Sequence, residues 1–496
     1  MEAEAAIFVS VVAFSWLVFA WEALLYRRQR RVHLSTLTVP PELVGSSLTQ
    51  ETLLKARSYQ LDKGAFGSVS NLYSQIESTL ILLLGGIPYL WSFTGDLVRR
   101  LGYSADYEVS RSCLFLLLAS LFSAATSLPW SLYGNFVVEE RHGFNKQTLG
   151  FFLKDQLKKL VVMQMIVLPI SSLLLHIIQR GGPLFFLYAW AFTLLVTLLL
   201  ITVYADYIAP LFDRFTPLPD GPLRREIESM AASIAFPLTK IYVVEGSKRS
   251  SHSNAYFYGF YKNKRIVLFD TLLAKGVEPQ GEGEELQGEE PKGKGEEPKG
   301  EEPQGKGEES LGKEPQGEVP QGKGEEPQGK GEEPKEKKDA KLGCSNEEVL
   351  AVLGHELGHW KLGHTTKNLV ISQVNSLLCF SLFAALIGRP ELFAAFGFHD
   401  EQPTLIGLII IFQFVFSPYN ELLSVVLTVL SRRFEFAADA FAASLGRATA
   451  LRSALVKLSS DNLGLPVADW LYSAWRYSHP PLLERLRALG DARKDD

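Results

Sequence analysis

Only three cysteines occur in 496 residues. None belongs to a Cys-x-x-Cys pair, which excludes both a disulfide framework and a thiolate zinc site. Cys113 and Cys379 lie inside apolar runs, which fits a reducing or membrane-embedded setting. Basic residues nowhere interleave with aromatics in the manner of a nucleic-acid-binding patch, so no nucleic-acid partner is expected. The net charge of −5 comes largely from one central tract and says little about partners. From residue 276 to 342 it is apolar side chains that are missing. Gly, Pro, Glu, Lys and Gln dominate there, and Gly-Lys-Gly-Glu-Glu-Pro recurs at Gly293, Gly322 and Gly329. Such a composition cannot bury enough surface to fold, so this tract is expected to be a disordered insertion.

Long apolar runs are what the rest of the chain has in abundance. Ala5 to Leu25 is mostly apolar and is followed at once by Arg27, Arg28, Arg30 and Arg31. Signal peptides carry positive charge before their apolar core, not after it. This segment is therefore expected to be an uncleaved first transmembrane helix whose C-terminal end is cytosolic. Residues 112–133, 161–178, 183–204, 369–387 and 404–430 are each near the length a bilayer requires. A further span over residues 80–93 is short, contains Gly85, Gly86 and Pro88, and needs its flank from about Tyr73 to cross. The total is seven. Loop charge supports that topology: the third loop carries Arg141, Lys146, Lys154, Lys158 and Lys159, the fourth only Arg180 and the sixth only Arg389. Arg99, Arg100 and Arg111 in the second loop fit least well. The bias places the third and fifth loops and the C-terminus in the cytosol.

Within the fifth loop, Lys240 to Glu245, Asn254 to Tyr261 and Arg265 to Phe269 are rich in Ile, Val, Tyr and Phe and are expected to be strands. A small sheet there either supports its neighbours or offers an edge to which an extended peptide adds as a strand. Next comes Val-Leu-Gly-His355-Glu356-Leu-Gly-His359-Trp. Ser345 followed by Glu348 has the form of a capping box, and Gly363 supplies a stop, so a helix is expected between them. On that helix His355 and His359 lie one turn apart on one face and can grip one metal ion. Glu356 sits about 100° round from His355, within reach of a water beside the metal without being a ligand. This is the H-E-x-x-H arrangement of zinc proteases, which a chain of this composition meets by chance about one time in a hundred.

A catalytic zinc wants three protein ligands and an open position. His364 is too close, five residues beyond His359 and past the helix stop; His399 belongs to a loop across the membrane. Glu435, within Arg432-Arg433-Phe434-Glu435-Phe-Ala-Ala-Asp439 at the cytosolic end of the last span, is the favoured third ligand. Asp439 follows one turn later and is suited to accept a hydrogen bond from the free N–H of a ligand histidine. The alternative is that Glu435 and Asp439 pair with Arg432 and Arg433 on a solvated helix.

The chain resembles the integral-membrane CAAX prenyl endopeptidases. The likeness is carried by His355-Glu-Leu-Gly-His359, Arg433-Phe-Glu435-Phe-Ala-Ala-Asp439-Ala-Phe and Tyr477-Ser-His479-Pro-Pro-Leu-Leu-Glu-Arg485. Pro210-Leu-Phe-Asp-Arg-Phe-Thr-Pro-Leu and Glu140-Arg-His-Gly-Phe-Asn-Lys-Gln match as well, and only residues 276–342 lack a counterpart. The resemblance implies one Zn²⁺ per chain on His355, His359 and Glu435, with Glu356 as general base. It also implies that Asn254 and His479 line the cleft and that Arg485 lies near the metal. The implied fold is an α-helical integral membrane protein whose seven helices enclose a chamber, capped by a cytosolic protease domain built from the H-E-x-x-H helix and a small sheet. Polar Glu22, His176, Asn420 and Glu421, in or beside spans, agree with an interior cavity.

The expected layout is five spans over residues 1–212, a strand-containing part over 213–275 and the insertion over 276–342. The metal-binding helix follows at 343–367, two spans at 368–430 and a C-terminal protease segment at 431–496. The resemblance implies removal of the C-terminal tripeptide from farnesylated CAAX proteins, with a second upstream cut as in prelamin A. The partners would be such substrates and the lipid bilayer. The alternatives are a quality-control protease for unprenylated misfolded clients and a non-catalytic scaffold with a structural metal. The endoplasmic reticulum and inner nuclear membrane are the expected compartments, the former also suggested by a basic ending, Arg493-Lys494-Asp-Asp.

Overall fold

A computed structural model describes residues 2–102, 107–259, 263–274 and 343–491. The expected insertion over 276–342 and the Arg493-Lys494 ending lie outside those residues. The described chain is mostly helical. In order, the helices are α1 (Glu2–Ser35), α2 (Gln50–Leu83), α3 (Gly86–Arg100), α4 (Glu108–Tyr133), α5 (Leu149–Arg180), α6 (Phe185–Val203) and α7 (Pro222–Ser233). After the insertion come α8 (Asn346–Lys361), α9 (His364–Leu386), α10 (Pro390–Ala395), α11 (Thr404–Ile409) and α12 (Ser417–Ala442). The chain closes with α13 (Ala448–Asp461), α14 (Trp470–Arg476) and α15 (Leu482–Asp491). The strands are β1 (Phe215–Pro217), β2 (Leu238–Val244), β3 (Ala255–Tyr258) and β4 (Lys264–Phe269).

Among the described residues, five helical segments are long and apolar enough to cross a membrane, and two bent pairs bring the number to seven. The expected second span is not the single segment from Tyr73 to Phe93. It is α2 joined to α3 across a 63° bend, which falls at Leu84 and Gly85, the latter at φ 66°. The seventh is likewise broken: Thr404–Val415 meets α12 at 58°, where the π turn Ile410–Val415 ends at Phe416 and Pro418 opens the next helix. Several helices overrun the expected spans at one end. α1 carries its arginines inside the helix to Ser35, and α5 begins at Leu149.

Neighbouring helices close a ring. α1 packs on α2, α2 on α3, α3 on α4, α4 on α5, α5 on α6 and α6 on α9; the turn Ile410–Val415 links α9 to α12, and α14 bridges α12 back to α1. At the end remote from the strands, Trp91, Phe115, Phe393, Phe396 and Ile406 form an apolar cluster. Arg111 lies over the Trp91 ring there, and Trp91 Nε1 donates to Glu401. Polar Glu22, inside α1, is paired with Arg476 of α14 at 3.0 Å.

Four strands, not three, form one sheet in the order β1-β2-β4-β3. β2 and β4 run parallel; β1 and β3 pair antiparallel at the edges. β1 has only three residues, too short to show an alternating pattern. The sheet, α7 and α8 share one core, in which Ile227, Ile266, Leu268, Val349, Leu350 and Leu357 are buried. Each such side chain contributes about 1.5–3 kcal/mol. Nine of the sixteen residues of α8 are buried, so packing rather than propensity holds this helix. β3 keeps one edge unpaired within the sheet.

Candidate metal centre

The α8 helix starts as its sequence dictates. The Ser345 side chain accepts from Glu348 N–H, and the Glu348 carboxylate accepts from Ser345 N–H at 2.8 Å. It ends at Gly363, whose φ of 68° turns the chain into α9. Between the two histidines stands Gly358. A Cβ there would meet Ala438 Cα and O at 3.2 Å, so glycine is what lets α12 cross α8 closely. That crossing sets Glu435 and Asp439 opposite His355 and His359.

The facing atoms of His355, His359 and Glu435 all lie within 4.8 Å of one another. His355 Nε2 is 3.2 Å from His359 Nε2. Glu435 Oε2 is 3.5 Å from His355 Nε2, and Glu435 Oε1 is 3.3 Å from His359 Nε2. Bonds of about 2.0–2.1 Å in a tetrahedron put ligand atoms about 3.3–3.4 Å apart, so the triangle has the size a zinc-like ion needs. Glu435 Oε2 is buried and makes no hydrogen bond of proper geometry, although His479 Nδ1 lies 2.8 Å away. A carboxylate oxygen left so is one that a cation would satisfy.

Around this triangle the charges are ordered. His355 Nδ1 is 2.8 Å from Asp439 Oδ1, and Arg485 clamps Asp439 through Nε at 2.8 Å and Nη2 at 2.6 Å. Burial opposes charge on His355, but the hydrogen bond to Asp439 and the neighbouring Glu435 carboxylate outweigh it and raise its pKa to about 9. The local field therefore favours positive charge at this point. The solvated-helix alternative for Glu435 and Asp439 does not hold, since Arg432 turns away to Ser473 and Glu484. Burial pushes the Glu356 carboxyl above its ordinary range, against the pull of the neighbouring histidines. That makes it a stronger base than a solvated carboxylate.

Two cavities meet at Glu356. One of about 360 Å³ is lined by Asn254, Glu356, His479, Arg485 and the leucines of α13. The other, about 1200 Å³, runs beneath Tyr256, Phe257 and Tyr258 of β3 to apolar residues of α5 and α6. The candidate ligands, the base and the expected cleft residues thus lie at one place, with the His479 side chain 68% exposed. Two features escaped the reading of the sequence. His364 does not join the triangle but meets His359, Nδ1 to Nδ1, at 2.9 Å. The loop before Asn254 is tied down by Asn462, whose Oδ1 contacts His252 Nδ1 and Ser253 N, and His252 stacks on Phe144.

Two family models match the chain. The first, CAAX prenyl protease N-terminal with five membrane helices, covers residues 29–214; the second, peptidase family M48, covers residues 217–493. The CAAX prenyl protease 1 homolog of Homo sapiens is 62% identical and aligns over 99% of this chain and 96% of its own. The chain belongs to the CAAX prenyl proteases of peptidase family M48. The CAAX prenyl protease 1 homolog of Caenorhabditis elegans is 41% identical, with 97% of both chains covered. Among solved structures, the crystal structure of S. mikatae Ste24p superposes with a TM-score of 0.78 at 32% identity, covering 97% of this chain and 98% of that one. As a CAAX prenyl protease of that family, the chain is a multi-pass membrane metalloendopeptidase.

Proposed function

We propose that this metalloprotease uses one Zn²⁺, held by His355, His359 and Glu435, to remove the C-terminal tripeptide of farnesylated CAAX proteins. The observation that carries the proposal is the His355–His359–Glu435 triangle with Glu356 beside it, opening on two cavities under an edge strand. Zinc bound there would supply Lewis acidity toward the scissile carbonyl and toward water. Glu356 takes the proton of the attacking water and passes it to the leaving amine. His479, exposed at the mouth, donates toward the oxyanion as it develops. Asp439, fixed by Arg485, holds the ring of His355 in the orientation and tautomer a ligand requires. A structural metal has no use for a base beside it, which weighs against a scaffold.

The substrate peptide lies extended along the free edge of β3, with Asn254 at the strand's head as part of the cleft wall. The farnesyl chain occupies the 1200 Å³ cavity, whose far wall includes Val162, Met163, Ile166, Leu200 and Ile201. Each buried CH₂ contributes about 0.8 kcal/mol, so the lipid supplies much of the affinity while the metal site supplies the cut. The curated relatives are named CAAX prenyl protease 1 homolog, which supports this substrate class. A second upstream cut in a prelamin A-like protein, an active site facing cytosol and nucleoplasm, and residence in the endoplasmic reticulum and inner nuclear membranes complete the proposal. The domain boundaries stand with it: spans over 1–212 and 368–430, protease parts over 213–275, 343–367 and 431–496.

The test is to incubate the purified chain with one CAAX peptide, farnesylated or not, with and without a zinc chelator, and to identify products by mass spectrometry. Farnesyl-dependent, chelator-sensitive loss of the tripeptide is expected. Equal cleavage of both peptides would point to quality control of unprenylated clients, and cleavage that survives chelation would remove zinc from the mechanism.

A further inference from the structure

His364 is the one histidine at the centre that the mechanism leaves unused. It is 4% exposed, and its ring stacks on Phe434 with centroids 4.0 Å apart and planes 11° apart. Phe434 immediately precedes Glu435 on α12, while Gly363 before it has the left-handed φ of 68° that ends α8. The corner thus folds residue 364 back over the last turn of α8. One side chain touches the neighbourhoods of two members of the triangle.

The contact to His359 has a defined chemistry. His359 presents Nε2 to Glu435 and His355, so a metal would take that nitrogen and Nδ1 would carry the proton. An Nδ1–H in a half-buried ring needs an acceptor. The nitrogen 2.9 Å away is His364 Nδ1, and two imidazole nitrogens at that distance share one proton.

We infer that His364 is a positioning residue for the metal centre: its neutral Nδ1 accepts the proton of His359 Nδ1 and so orients that ring toward the metal. The inference rests on the ligand assignment made above. It gives the two histidines different supports. His355 leans on a carboxylate, Asp439, itself held by Arg485; His359 leans on a neutral ring held by an aromatic stack. An anionic support raises the basicity of a ligand imidazole more than a neutral one does.

Three substitutions of the full-length protein separate acceptor from packing. His364→Asn keeps an acceptor near the position of Nδ1, His364→Leu has nearly the shape of asparagine without it, and His364→Phe keeps a ring on Phe434 without it. Zinc affinity is measured by competition with a chelator of known affinity, and the cobalt-substituted proteins are compared by their visible absorption. Partners of this kind alter metal affinity by about 10–100-fold. His364→Leu and His364→Phe are expected to lose that much and to shift the cobalt band, with His364→Asn close to the unsubstituted protein. Should His364→Phe fail to fold, the asparagine and leucine variants decide alone. Wild-type zinc affinity and cobalt spectrum in His364→Leu overturn the inference, and so does asparagine binding as weakly as leucine. His359→Ala is the control for the underlying assignment: its loss of zinc alongside unaffected His364 variants would leave the ligands standing and remove only the positioning role.

Discussion

α6 and α8 are both helices rich in Leu, Val and Ala, yet they are turned in opposite directions. Along α6 only Ala189 is buried, and Leu195 and Leu199 are 65% and 56% exposed by the protein itself. Along α8, Val349 to Leu353 are all buried, and so is His355. Lipid supplies the partner that α6 lacks. Protein supplies it for α8, which is why that helix can hold His355 buried and set Glu356 and His359 at the edge of a cavity. The sidedness of burial, not apolar content, separates the part that resides in the membrane from the part that does chemistry.

That contrast is open to direct attack. Leu268, fully buried against α8, is expected to cost about 2–5 kcal/mol on truncation to alanine, read as loss of thermal stability in lipid nanodiscs. Next comes Asp439, where a membrane helix delivers a carboxylate to the protease core. Asp439→Asn should weaken zinc about 10–100-fold in a chelator competition while leaving the fold intact. Ser345→Ala removes the cap of α8 and should cost about 1 kcal/mol.

The cap also carries a pH dependence. Burial raises the Glu348 pKa, but Ser453, Ser345 and Lys457 together outweigh it, and the folded value lies below 4.5. The unfolded chain therefore binds the proton more readily. The contribution of Glu348 is complete above about pH 4.5 and fades as pH falls through the folded value. The penalty of Ser345→Ala, followed by thermal unfolding from pH 7 to 4, should shrink over the lower end of that range. The smallest effect belongs to α6: Leu199→Ala should change stability by less than about 0.5 kcal/mol in a bilayer. A Leu199 effect matching that of Leu268 would break the comparison.

Much of the centre was legible in the sequence because its signals are local. The Ser345–Glu348 box, the His355–His359 spacing and the Glu435–Asp439 spacing each act within one helical turn, so periodicity alone places them on one face. His364 was set aside as a ligand, and it does stay out of the triangle, but its contact with His359 was not foreseen. Five residues from His359 is the wrong spacing on a continuous helix, but Gly363 breaks that helix and folds the next residue back. The breaks near Gly85 and Pro418 were marked by glycine and proline, but the size of the bends was hidden, since hydropathy reports apolar length and not direction. β1 was invisible because three residues show no alternation. The mutual placement of α8 and α12 depends on Gly358 meeting Ala438, a contact across 80 residues of chain that no local pattern records.

The central claim is that one metal sits on His355, His359 and Glu435 with Glu356 as the base. It is tested most directly by measuring metal content and turnover together in the unsubstituted protein and in Glu356→Gln. Glutamine keeps the shape of the site but cannot take a proton. One zinc per chain in both proteins, with cleavage of the farnesylated peptide abolished only in the variant, is the expected result. Full turnover in purified Glu356→Gln, or loss of zinc from it, would contradict the account.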